Sequence, residues 1–181
     1  MKPWKRIDPT IVAKIDRRTV TLKTFIDNRG DQQVFALLHP DGQEFVAVIA
    51  VTTDKKVLIA RQFRPGPEKV MDELPGGFVD KGEAPETALR RELLEETGYV
   101  PGELTYLGAY YKDAYMNAKW HVFLAVDCTR QTTKQVLDDS EDVHIDLISI
   151  QQLLDNARHD NMTDTTAVLY AYETLKKMED A

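Results

Sequence analysis

The hydrophobic pattern changes period several times along the chain. Residues 18–26 (RTVTLKTFI) alternate in part, with Val20 and Leu22 on one side, and predict a strand. Asn28, Arg29, Gly30 and Asp31 signal a turn, after which residues 33–38 return as the second arm of a hairpin. Pro40, Asp41 and Gly42 predict a further turn closing that unit, and the residues before it an irregular start. Residues 45–52 (FVAVIAVT) are an apolar, β-branched run suited to a buried strand. Residues 57–63 (VLIARQF) predict the next strand, and 70–74 lead into a Pro-Gly-Gly turn. Between Pro85 and Gly98 lies ETALRRELLEET, rich in strong helix formers, with proline in the first turn and glycine just past the last. Strands follow at 104–111, 120–126 and 143–148, with a loop at 112–119 (KDAYMNAK). Ser149 can cap a short helix through about Ala157. Thr163 or Asp164 can cap a last one ending near Met178, with Val168, Leu169, Tyr172 and Leu175 inward. Strands and helices mix without regular βαβ alternation, so the pattern predicts an α+β fold.

Composition narrows this further. At 181 residues, 43% hydrophobic and 29% charged, the chain suits one compact globular domain with a small N-terminal extension. No run approaches the roughly 18 apolar residues of a membrane span. The opening MKPWKRIDPT lacks the apolar core of a secretory signal, and Cys128 is the single cysteine, so a reducing cytoplasm is expected. A net charge of −7 argues against broad nucleic-acid or anionic-membrane binding, though not against a small phosphorylated substrate.

The candidate chemistry lies in residues 77–99. On a helix of about 3.6 residues per turn, Glu92, Glu95 and Glu96 share one side, bordered by Leu89 and Leu93. Carboxylates at that spacing repel one another unless a cation or an arginine sits among them. A solvated acidic face balanced by Arg90 and Arg91 is the plain alternative. The flanks weigh against it, because Leu74, Pro75, Gly76 and Gly77 bring a close-approaching backbone to the helix, with Glu83 in the connecting loop. Such hard oxygen donors suit magnesium or manganese.

Gly77, then Glu83, then Arg91-Glu92-Leu93-Leu94-Glu95-Glu96-Thr97-Gly98 resembles the Nudix box. Tyr99 departs from it, standing where that pattern has an aliphatic residue. The resemblance implies a Nudix fold, with mixed β-sheets sandwiched between helices and an N-terminal antiparallel β extension. It divides the chain into residues 1–43, an extension expected to pair two copies as a homodimer, and 44–181, the hydrolase domain. A hairpin covering the monomer's own core is the other reading of that extension. The resemblance implies Mg2+ or Mn2+ held by Glu92, Glu95, Glu96 and the Gly76 carbonyl. It makes Gly77, Glu83, Arg91 and Gly98 structural, and leaves the general base as a box glutamate or Glu141 on a later loop.

Gln62-Phe63-Arg64 resembles the Q-aromatic-R signature of ADP-ribose pyrophosphatases, which maps the arginine at the diphosphate to Arg64. Arg61, three residues earlier, points to the opposite strand face and reads first as an ion pair, second as a substrate contact. Glu73, also a glutamate in that branch, either binds metal or substrate or pins the loop. A proline marks that branch sixteen residues past the box, where this chain has Ala114. Tyr115 and Lys119 instead resemble the Tyr-x-x-x-Lys element of the ADP-compounds hydrolases, implying a ring for a base or ribose and a cation for a phosphate. The implied reaction is hydrolysis of a nucleoside diphosphate linked to another moiety. A triphosphate or RNA 5′-end pyrophosphohydrolase and a non-catalytic ADP-ribose sensor are the alternatives.

Overall fold

A computed structural model describes residues 2–15, 18–137 and 142–180, and the chain divides into two compact units. One comprises the N-terminal stretch through Glu44 together with Tyr110–Trp120; the other comprises Phe45–Ala109 and the chain from His121 onward.

The first unit is built on β1 (Lys5–Ile15), β2 (Arg18–Ile26) and the leading part of β3 (Gln32–Thr52). β2 pairs antiparallel with both, running from Val20 opposite Leu38 to Ile26 opposite Gln32. The Asp27 carboxylate shapes the intervening turn by accepting the amides of Arg29 (2.8 Å) and Asp31 (3.0 Å). Two expectations are corrected here. Residues 5–15 form a strand, which KRIDPTIVAKI conceals because Pro9 and the charges break the alternation; the ladder with β2 shifts register on either side of Pro9 and Ile11. Nor does Pro40-Asp41-Gly42 end β3. The bend is absorbed within the strand, with His39 at φ 70° and Gly42 at φ 76°. Asp41 there accepts from Arg6, Lys23 (2.6 Å) and Asn117 (2.5 Å), and these contacts, Lys23 foremost, hold its carboxyl well below the usual carboxylate range.

The second unit holds the apolar interior. Its strands are the later part of β3, β4 (Lys56–Arg64), β5 (Lys69–Glu73), β6 (Tyr99–Val100), β7 (Glu103–Tyr110), β8 (Met116–Arg130) and β9 (His144–Ser149). β8, like β3, also contributes to the first unit: it begins at Met116, inside the segment expected as a loop. β4 lies antiparallel between β5 and β9. Helix α1 (Pro85–Thr97) lays Ala88, Leu89 and Leu93 on Val46, Val48, Ala50, Leu58, Phe123 and Ala125. Each such leucine contributes about 1.5–3 kcal/mol by leaving water. Val57 and Ile59 alternate with Leu58, so they present the opposite, equally buried face of β4. Helices α2 (Ile150–Asn156) and α3 (Thr165–Glu179) supply Leu153, Leu154, Val168, Ala171 and Leu175 to the interior, and α2 contacts β4 and β9. Ser149 caps α2 as expected, accepting the Gln152 amide at 3.1 Å. Leu169 does not face inward: it is 70% exposed, because the buried stripe of α3 follows 168, 171 and 175, and 169 lies about 100° around the helix from 168. Among the described residues no helix is long and apolar enough to cross a membrane.

Candidate active site

The acidic helix is fixed at both ends. Pro85 opens α1, and Gly98 closes it in the left-handed region at φ 76°, donating its amide to the Leu94 carbonyl at 2.9 Å. A Cβ on Gly98 would stand 2.1 Å from the Thr132 carbonyl oxygen, so only glycine fits. The terminal carbonyls that a helix leaves unsatisfied are taken by the segment after β8. Val136 N–H reaches Glu95 O (2.8 Å), the Gln135 side-chain amide reaches Glu96 O (2.6 Å), and the Gln131 amide reaches Gly98 O (2.8 Å). Nothing in the sequence pattern singled out Gln135.

Glu92, Glu95 and Glu96 accordingly leave one stretch of helix but meet different partners. Arg91 lies across the first two, its Nη1 at 2.8 Å from Glu92 and 3.2 Å from Glu95. Its Nη2 donates to Glu83 and to the Phe78 carbonyl, both at 3.0 Å. Glu83 first, then Glu92 and Glu95, raise the guanidinium pKa further above its ordinary value, and Arg91 in turn lowers that of Glu83. Glu96 is the buried one. Its Oε2 accepts the Gly76 amide at 2.9 Å, which ties the glycine turn to the helix.

The turn approaches closely because it lacks side chains. A Cβ on Gly76 would meet the Val46 carbonyl oxygen at 2.1 Å, and one on Gly77 the Glu92 carboxylate at 2.5 Å. The carbonyls of Pro75 and Gly77 are used by the amides of Val48 and Val46. Glu92, Glu95, Glu96 and the Gly76 carbonyl offer oxygen donors alone, the chemistry that a hard divalent cation takes. Among the described residues no three acidic, histidine or cysteine side chains converge into a closed cage, and within the box Arg91 is bonded to Glu92 and Glu95.

The two candidate arginines part as strand alternation requires. Arg61 bonds Asp72 (2.7 Å) and Asp146 (3.0 Å), two carboxylates on neighbouring strands. Arg64 takes the other face, where Nε donates to Glu73 at 2.6 Å and Nη2 pairs with the same carboxylate. Glu73 is buried and also accepts from Gln62 (3.1 Å) and Thr163 (2.8 Å). Glu73 first, then Asp164 and Glu96, raise the Arg64 pKa, so its guanidinium stands in the field of the buried box carboxylate. Tyr115 and Lys119 belong to the first unit, Tyr115 57% exposed with its ring 6.3 Å from Phe35. Glu141 falls outside the described residues. His121 is buried on β8, with Nδ1 3.1 Å from the Tyr106 hydroxyl.

Comparison with known proteins identifies the family. The family model described as NUDIX domain matches residues 43–168. The ADP-ribose pyrophosphatase of Bacillus subtilis (strain 168) is 36% identical over 141 residues, 77% of this chain and 75% of that protein. The ADP compounds hydrolase NudE of Escherichia coli (strain K12) is 26% identical over 153 residues, 82% of this chain and 81% of that one. A crystal structure of an ADP compounds hydrolase shares the fold, with a TM-score of 0.79 and 21% identity over 98% of this chain and 97% of that one. The α+β fold is shared with that structure, and the chain belongs to the NUDIX family as a Nudix hydrolase.

Proposed function

We propose that the protein is a magnesium- or manganese-dependent pyrophosphohydrolase acting on a nucleoside diphosphate linked to another moiety: ADP-ribose, a nucleotide sugar or a similar ADP compound. Water adds across the P–O–P bridge. Its oxygen bonds one phosphorus, the bridging oxygen leaves with the other, and the products are a nucleoside monophosphate and a phosphorylated remainder. The observation that carries this reading is the fastening of the glycine turn to Glu96 by the Gly76 amide, with Arg64 held by Glu73 in the field of the same carboxylate.

A divalent cation bound by Glu92, Glu95, Glu96 and the Gly76 carbonyl would polarise a phosphoryl oxygen and lower the pKa of a bound water. Arg64 offers a planar, permanently charged fork that suits the diphosphate oxygens, and Glu73 fixes its plane. Arg91 and Glu83 hold the glutamates in place on the helix. A carboxylate, from the box or from Glu141, takes the proton of the attacking water. Arg61, committed to two aspartates, keeps its strands together. Residues 1–43 serve as the element that joins two copies. Relatives whose names specify ADP-ribose and ADP compounds support this substrate class.

The test is a product assay with magnesium on ADP-ribose, a UDP- or GDP-sugar, NADH and a dinucleoside polyphosphate side by side. Nucleoside monophosphate from at least one of them is expected. Turnover of none, or pyrophosphate released from a nucleoside triphosphate instead, would overturn the assignment.

A further inference from the structure

Asp164 occupies the N-cap position of α3 but does not cap it. Its backbone carbonyl accepts the first helical amides, from Ala167 (2.9 Å) and Val168 (3.2 Å), while its side chain makes no capping bond. The carboxylate reaches Leu74 instead, ninety residues away in sequence, and accepts that amide at 3.1 Å. Aspartate is among the best capping residues, and burying a carboxylate is costly without hydrogen-bonding partners. Asp164 is only 7% exposed, and its bond to the Leu74 amide is made across the fold and not to its own helix.

The surrounding backbone explains the reach. Residues 161–163 run beside β5 as a fragment of parallel ladder, with Asp72 N–H to Asn161 O at 2.8 Å and Thr163 N–H to Asp72 O at 3.4 Å. The next rung of a parallel ladder would carry the Leu74 amide to the Thr163 carbonyl. The chain turns into α3 there, and the Asp164 side chain takes that rung. One residue back, the Thr163 hydroxyl donates to the Glu73 carboxylate that holds Arg64. The four residues from Glu73 to Gly76 are therefore fastened from both sides. Thr163 and Asp164 hold Glu73 and Leu74, and Glu96 holds Gly76.

The geometry assigns Thr163 and Asp164 as positioning residues: Asp164 sets where the Gly76–Gly77 backbone stands relative to the box glutamates, and Thr163 sets the plane of the Glu73–Arg64 pair. This rests on the function proposed above and adds two residues to it that touch neither metal nor substrate. The Thr163 hydroxyl has one proton and lies 2.8 Å from Glu73 against 3.5 Å from Asp164, so its main partner is Glu73, whereas the main partner of Asp164 is the Leu74 amide. Losing the Asp164 contact loosens the donor turn, whereas losing the Thr163 hydroxyl frees Glu73 to turn Arg64 away from a diphosphate.

The test uses the full chain. Asp164→Ala should weaken manganese binding, measured by calorimetry without substrate, by about tenfold, as second-layer changes around a metal do. It should also remove the hydrogen-exchange protection of the Leu74 amide. Asp164→Asn, whose side-chain oxygen can still accept that amide, should restore most of both. Thr163→Val should leave manganese affinity at the parent value while raising KM about tenfold, the loss of roughly one oriented hydrogen bond, and Thr163→Ser should bring KM back. Variants that melt at lower temperature yet keep the parent's manganese affinity, KM and Leu74 protection would overturn the assignment, leaving both residues merely structural. A parent that takes up no manganese would end the metal-dependent reading itself, an outcome distinct from a parent that binds it as tightly as Asp164→Ala does.

Discussion

At the residue scale, Glu96 differs from its neighbours. Glu92 and Glu95 share the charge of Arg91, whereas Glu96 is buried against a backbone amide. An amide in its place keeps the hydrogen bond from Gly76 and loses only the negative charge. Glu96→Gln should therefore fold normally and lose about 10²–10³-fold in turnover at saturating magnesium, in the range for removing one electrostatic stabiliser. Near-parent activity with an unchanged circular dichroism spectrum would remove Glu96 from the chemistry. Strand alternation was enough to separate Arg61 from Arg64 in the sequence, because three residues along a strand reverse a side chain. Their partners were not legible: Asp72, Asp146 and Glu73 reach them across strand pairings that one sequence does not announce.

At the scale of elements, α1 was readable because its signals are local. Proline, helix formers and a terminal glycine lie within one stretch, and the helix runs from Pro85 to Thr97. Its glycine stop can be tested against another. Gly98 and Gly82 both have positive φ, at 76° and 86°, but a Cβ on Gly82 meets nothing within 4 Å, while one on Gly98 strikes the Thr132 carbonyl. Gly82→Ala should cost about 1 kcal/mol, the backbone preference alone. Gly98→Ala should cost upward of about 2 kcal/mol in urea unfolding, because the strain adds to a displaced loop. Equal losses would mean that the contact with Thr132 yields easily. The unread elements have a common cause. β1 hides behind Pro9 and its charges although β2 pairs with it, and the bend at 40–42, just past the last β2 rung at Leu38, looks like a chain reversal, because strand pairing across the chain is not a local signal. Likewise Thr163 and Asp164 could be read as caps for the helix that follows, and only the fold brings Leu74 beside them.

At the scale of the molecule, the proposed homodimer must be joined through some surface of the N-terminal unit. β1 ends the strand order, yet Pro9 lacks an amide donor and the two register shifts interrupt the ladder. Such features blunt a strand against edge-to-edge pairing. Side chains on the faces are the better means, and Trp4, Ile7 and Val34 are exposed at 40%, 41% and 54%. Sedimentation should give twice the mass of one chain, and Ile7→Lys with Val34→Lys should halve it. A parent sedimenting as a single chain would rule out the pairing.

The detour of the Asp164 carboxylate has a consequence for heat. Where the start of the closing helix also braces the reaction loop, fraying there reaches catalysis before it reaches the buried interior. Such an enzyme would fall silent several degrees before its calorimetric transition, and recover on cooling because nothing central had come apart.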